Sequence, residues 1–173
     1  MRRLLIVLLD GLGLALAACS TQAAPPAAVA EEGSVHPVSG LQVIPLTIEQ
    51  NGKTHRFRVE VARTPAEQAQ GLMFRTELGP DEGMIFPSAT PQFRSFWMRN
   101  TVIPLDLLFI GADGFVSNIA ANAVPYSEDS IPSDGPVVAV LELAGGRAAE
   151  LGITAGARVR WDREAALTQT QGS

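Results

Sequence analysis

The chain has one cysteine, two histidines and one tyrosine among its 173 residues. A single cysteine excludes an intrachain disulfide, and with so few histidines the usual thiolate and imidazole metal sites are excluded as well. Neither histidine stands where nucleophilic catalysis would want it. His36 lies in a Pro- and Ser-rich stretch, and His55 sits beside Lys53 and Arg56 at the start of a strand, the setting of a solvated ring. There is no Gly-x-Ser-x-Gly elbow, and Gly145-Gly146 lacks the rest of any phosphate-binding fingerprint. Positive charge is also scarce. Thirteen Lys and Arg stand against eighteen Asp and Glu, for a net charge of −5, a poor balance for a nucleic-acid partner. No apolar run is long and uninterrupted enough for a transmembrane span. No metal and no cofactor are expected.

What is present begins with a leader. Met1-Arg2-Arg3 is a positive n-region, Leu4 to Ala18 an apolar h-region interrupted by Asp10, and Leu16-Ala17-Ala18-Cys19 matches the lipobox of bacterial lipoprotein signal peptides. The expectation is cleavage after Ala18 and lipidation of Cys19, whose acyl chains would hold the protein to a bilayer. Lipidation consumes the only thiol. Ser20 in place of Asp after the cysteine favours the outer membrane of a Gram-negative envelope. Loss of Arg2, Arg3 and Asp10 takes the net charge from −5 to −6. Residues 1–18 are thus read as signal peptide, 19–40 as a disordered Ala/Pro/Ser/Glu-rich tether, 41–162 as one domain and 163–173 as a frayed tail.

Within the domain the strongest local pattern is His55 to Val61, where Phe57, Val59 and Val61 alternate with Arg56, Arg58 and Glu60. It predicts a half-buried strand, joined to Leu41–Glu49 through an Asn51-Gly52 hairpin. Thr64-Pro65-Ala66-Glu67 is a capping box with Pro at the first helical position, opening a helix that runs to about Gly71 or Met73. Short strands are expected over Glu82–Pro87 and Arg94–Met98, a hairpin over Leu105–Ile110 and Phe115–Ala121, and a buried strand over Val137–Leu143. A mobile loop fills Val124–Pro136, a short helix follows Gly145-Gly146, and Ala157–Trp161 is the last strand. The sum is an α+β domain, predominantly β: a compact, partly barrel-like antiparallel sheet with two short helices.

Two carboxylates stand out because each is embedded in an apolar strand: Asp106 between Leu105 and Leu107, and Glu142 between Leu141 and Leu143. A carboxylate so placed must find hydrogen bonds or face a cleft. Asp106 either pins a turn or stands at a pocket rim, paired with Arg75 or Arg99. With Glu142 it would supply the two carboxyls that glycoside chemistry needs, provided both face one cleft. Phe96-Trp97-Met98-Arg99-Asn100-Thr101 adds an aromatic, an amide and a hydroxyl. Strand alternation puts Phe96 and Met98 on one side and Trp97 on the other. Trp97, Asn100, Thr101 and Asp106 together have the composition of a platform for a small polar ligand, and equally of a well-satisfied corner. Met73, Met84 and Met98 sit in apolar surroundings and read as core filler rather than copper ligands.

Gln70-Gly-Leu-Met-Phe-Arg75, Gly83-Met-Ile-Phe86 and Phe96-Trp-Met-Arg-Asn-Thr101 with Ile103-Pro-Leu-Asp106 resemble the bacterial and archaeal family called domain of unknown function 192, over nearly all of Leu41 to Trp161. The resemblance implies a compact, β-rich, partly barrel-like domain, often exported, and no activity. The family motif falls here on Gly71, Met73, Arg75, Trp97, Met98, Asn100, Thr101, Pro104 and Asp106. The functional expectation is a lipid-anchored envelope protein that binds a small polar ligand or cell-wall fragment. The alternatives are an interaction module docking an envelope protein through Tyr126–Gly135, and a metal-free hydrolase or lyase using Asp106 and Glu142 on glycans.

Overall fold

The computed structural model describes residues 34–168, so the expected signal peptide, Cys19 and most of the expected tether, together with the last five residues, lie outside it. In chain order the elements are β1 (Val43–Gln50), β2 (Lys53–Val61), α1 (Pro65–Gln70), β3 (Glu82–Gln92), β4 (Ser95–Phe96), β5 (Leu105–Ile110), β6 (Val116–Ala123), β7 (Ile131–Pro132), β8 (Val137–Ala144), α2 (Arg147–Leu151), β9 (Arg158–Trp161) and α3 (Arg163–Leu167). The fold is α+β and mostly β. Seven strands form one sheet in the order β6-β5-β8-β3-β2-β1-β9, and β4 pairs with β7 in a separate ribbon.

The local chemistry acts as the sequence predicts at β1, β2 and α1. Asn51 and Gly52 both take positive φ, 51° and 74°, as a two-residue hairpin turn of the primed kind requires. Thr64 Oγ1 accepts from Glu67 N at 3.2 Å, and the Glu67 carboxylate accepts from Thr64 N at 2.8 Å, so the capping box is complete. Because α1 carries the chain across, β2 and β3 run parallel, and the sheet is mixed rather than antiparallel. Its edges touch at one corner, where Phe115 bridges Arg158, but the sheet does not close.

Both sheet faces are covered. One face carries Leu46, Ile48, Val59, Ile85, Leu108, Leu141 and Leu143. The other carries Leu72, Met84, Phe86, Met98, Leu107, Phe109 and Val140. All six residues of β5 are buried, as a strand between two covered faces demands.

Three further expectations change. There are three helices, because Asp162 caps a last turn by accepting from Ala165 N at 2.9 Å, and Ala166 is buried where a frayed tail was expected. The described end of the tether packs on the domain instead of running free. Val35 bridges Gln42, Ser39 hydrogen-bonds the Glu60 carboxylate, and His36 Nε2 lies 3.7 Å from it. That cover is why Glu60 is buried although the alternation of β2 turns it away from Phe57 and Val59. Finally, the loop of residues 124–136 contains β7 and is fastened along its length: Met98 N donates to Ser127 O and Ser133 N to Arg94 O, both at 2.8 Å.

Candidate functional site

Register separates the two embedded carboxylates. In the antiparallel pair of β5 and β8, Asp106 stands opposite Leu143 and Leu107 opposite Glu142. Directly opposed residues share a face and successive ones alternate, so Asp106 and Glu142 leave the sheet on opposite sides. No two-carboxylate cleft can be built from them.

Asp106 is fully buried and surrounded by backbone donors. Its Oδ1 accepts from Asn122 N at 2.8 Å and Gly146 N at 2.9 Å, and its Oδ2 accepts from Ala148 N at 2.8 Å. Two of these are orphan N–H groups at the start of α2, where no side chain of the helix's own cap supplies an acceptor. The third lies where the β5–β6 register shifts between Leu105 and Leu107. The carboxylate therefore joins a bulge to a helix start, the turn-pinning role, and not a pocket rim. Nor does it pair with an arginine. Arg75 donates to Glu60 Oε1 at 2.8 Å, and Arg99 lies 3.5 Å from Glu128.

Glu142 has the opposite environment. It is 5 % exposed, and no side chain or backbone donor among the described residues pairs with its carboxyl. It lies at the floor of a cleft of about 470 Å³. Burial pushes the carboxyl up to about 8, with no charged neighbour contributing. At neutral pH the group is mostly a neutral acid and a hydrogen-bond donor.

Three chain segments wall this cleft. The first is the end of α1 and the turn after it, supplying Gln68, Leu72 and Met73. The second is the β4 region, with Arg94, Ser95, Phe96, Trp97, Arg99 and Thr101. The third is the loop beside β7, with Glu128 and Ser130. Phe86 of β3 packs edge-on against Phe96, their ring centres 5.1 Å apart. Ser95 and Ser130 hydroxyls hydrogen-bond across the β4–β7 ribbon at 2.8 Å. Arg94 donates to Ser88 Oγ at 2.9 Å and Gln68 Oε1 at 3.1 Å, and its guanidinium lies 5.3 Å from the Phe96 ring centre. Partial burial lowers its pKa from the ordinary arginine value. Trp97 is 47 % exposed at the rim, with the Arg99 guanidinium 5.4 Å from its ring.

Of the residues the sequence singles out, Trp97, Thr101 and Glu142 line this cleft, while Arg75, Asn100 and Asp106 do not. Arg75 belongs to the Glu60–His36 cluster, where residues 34–40 pack on the domain. Asn100 shapes the turn: its φ is 56°, its carbonyl accepts from Phe74 N at 2.9 Å, and its amide reaches Met73 Sδ at 3.8 Å. Arg94, Gln68 and Glu128 escape a reading of the sequence because nothing in their neighbours distinguishes them from surface residues. The β4–β7 pairing and the return of α1 bring them together.

The fold and cleft define a class: a small, mixed-sheet, β-rich domain with a ligand-sized cavity over one sheet face. The particular family follows from the match of residues 46–161 to domain of unknown function 192, described as an uncharacterised conserved region, and the chain belongs to it. Two crystal structures are similar. A protein of unknown function from Novosphingobium aromaticivorans is 60 % identical, with a TM-score of 0.73 covering 75 % of this chain and 92 % of that one. A candidate transcription regulator from Sinorhizobium meliloti is 40 % identical, with a TM-score of 0.68 covering 70 % of this chain and 95 % of that one. Among curated proteins no significant match is found.

Proposed function

We propose that this protein is a small-ligand-binding module of the bacterial envelope, held to a membrane through acyl chains on Cys19, with its ligand site in the cleft above Glu142. The observation that carries this reading is the unpaired, buried Glu142 carboxyl at the cleft floor. The protein supplies this acid no partner among its described residues, and its oxygens open on a cleft of ligand size, an arrangement suited to a partner that arrives from outside. Trp97 at the rim supplies a flat face for a ring. The carboxylate-pair hydrolase has no such support, since Asp106 and Glu142 diverge. Docking of an envelope protein on the 126–135 loop is weakened because that loop already serves as a cleft wall.

The test titrates the full chain in non-ionic detergent with the N-acetylglucosamine–N-acetylmuramic acid disaccharide and with a set of monosaccharides and amino acids. A Trp161→Phe background isolates the emission of Trp97. Saturable quenching that a bulky Thr101→Met substitution in the cleft wall abolishes is the expected result. A flat response to every probe, with amide resonances of the cleft unmoved, removes the binding reading. Loss of palmitate labelling in Cys19→Ala checks the anchor independently.

A further inference from the structure

The cleft contains two groups that are unsatisfied in complementary ways. Glu142, at the floor, has no hydrogen-bond partner among the described residues. Arg94, in the wall, has neutral partners only: the Ser88 hydroxyl, the Gln68 amide oxygen and the Phe96 ring. Two of its five N–H donors are used by the first two, which leaves three for a ligand. The other arginine of the cleft, Arg99, is already matched by Glu128 at 3.5 Å. So the site holds one uncompensated cation, one acid without an acceptor, and apolar lining from Leu72, Phe86 and Phe96.

Resting on the ligand-binding reading, we infer that the cleft takes a small organic monocarboxylate carrying a hydroxyl or carbonyl oxygen and an apolar face, its carboxylate on Arg94 and its oxygen on the carboxyl of Glu142. A planar guanidinium with free donors matches a carboxylate in two parallel hydrogen bonds. One free cation matches one negative charge, so a monoanion fits and a phosphate dianion leaves a charge unmatched in a part-buried site. Glu142 must keep its proton, because an ionised floor would repel an anionic ligand and could donate nothing to it.

Proton dependence follows from this arrangement. The charged groups that share the site are Arg94, Arg99 and Glu128. Glu60 with Arg75 lies further along the same sheet face, beyond Met84, which β3 places between Glu60 and Glu142. Burial alone holds the Glu142 carboxyl up at about 8. Affinity is therefore level below that pH and falls by about tenfold per pH unit above it, as each unit removes the protonated form.

The experiment uses matched probes that differ only in a carboxylate against a hydroxymethyl group: 3-phenyllactate against 3-phenylpropane-1,2-diol, and glucuronate against glucose, with phenyl phosphate as a third arm. Each is titrated into the full chain at pH 6.5 and pH 9. In at least one pair the carboxylate binds at least about tenfold tighter at pH 6.5, the scale of one charge-assisted hydrogen bond. Arg94→Met erases that preference, and Arg94→Lys, which keeps the charge without the fork, retains part of it should the first variant fail to fold. Glu142→Gln, whose amide donates but does not titrate, flattens the pH profile of whatever binding remains, and a fall above pH 8 that persists in this variant overturns the role of Glu142. Equal binding of the neutral members overturns the carboxylate assignment while the binding reading stands. Tighter binding of phenyl phosphate transfers the site to phosphates and likewise overturns it. If neither pair binds, the assignment falls, and the disaccharide titration decides separately whether the cleft binds anything.

Discussion

Asp106 and Glu142 show at the scale of single residues how the same side-chain chemistry takes two roles. Both interrupt apolar strands, and both are buried. Asp106 meets three backbone N–H groups, while Glu142 meets none among the described residues. Asp106→Asn keeps the shape but turns one oxygen into a donor facing another donor, and it removes the charge from the remaining bonds. It is expected to cost about 2–4 kcal/mol of stability in urea unfolding, with cleft binding unchanged in whatever fraction folds. Glu142 titrates with the opposite consequence. Its carboxyl rises from 4.5 to about 8 on folding, so the folded protein binds this proton more tightly than the unfolded chain. Its contribution is fully present below pH 4.5 and is lost as pH rises to about 8, at roughly 1.4 kcal/mol per unit within the window. Glu142→Gln removes that loss. Urea melts at pH 5, 7 and 9 should show the variant gaining on the parent protein from the first to the last, and parallel curves would show that Glu142 is not buried as an acid. The sequence pointed to both residues. It could not say which was satisfied, because the donors to Asp106 come from residues 16, 40 and 42 positions away.

Elements were legible where their cause is local. The Asn51-Gly52 turn, the alternation of β2 and the Thr64–Glu67 box depend on neighbours within a few residues, and each forms as read. The cleft was half legible for the same reason. Alternation correctly set Trp97 apart from the buried Met98, but the wall opposite depends on β4 finding β7 from 35 residues away. Asn100 illustrates the limit. Its place beside Thr101 suggested a ligand amide, whereas its backbone has the left-handed φ of 56° that shapes the turn between Trp97 and Thr101. Its side chain makes one weak contact, to Met73 sulfur. Asn100→Gly should thus lie within about 0.5 kcal/mol of the parent, while Asn100→Val, which pays for a β-branched residue at positive φ, should lose roughly 1–3 kcal/mol. Thermal melts of the two variants separate the readings. A glycine variant as damaged as the valine one would mean that the amide itself holds the turn.

Across the whole molecule, the sheet divides the core in two, and the cleft occupies the side where cover is incomplete. The Asp106 face is closed by α2, β9 and α3, through Ala148, Val159 and Ala166. The Glu142 face is closed by the turn after α1 and the β4 region, through Leu72, Met98 and Phe96, and it leaves the cleft between them. Both faces depend on how closely β3 and β8 approach, and Gly83 sets that distance. A Cβ at this position would stand 2.6 Å from the Glu142 carbonyl oxygen and 2.9 Å from Leu143 Cδ2. The first obstacle is backbone and cannot rotate away, so Gly83→Ala must part the two strands. The expected cost is about 1–3 kcal/mol by urea unfolding, as for other overpacked interiors. Gly135→Ala is the control: a Cβ there meets nothing within 4 Å, and its φ is not in the left-handed region, so it should be nearly neutral. The displacement also reaches the site, since the strand that moves carries Glu142. A widened gap admits water to the cleft floor, weakens the desolvation that raises this carboxyl, and brings its titration down from about 8 toward the ordinary carboxylate range. Carbon-detected NMR titration of the Glu142 carboxyl in Gly83→Ala and in the parent tests the connection. A lower midpoint in the variant is the expected outcome, and an unchanged midpoint alongside a clear loss of stability would show that the strand gap and the cleft floor are independent.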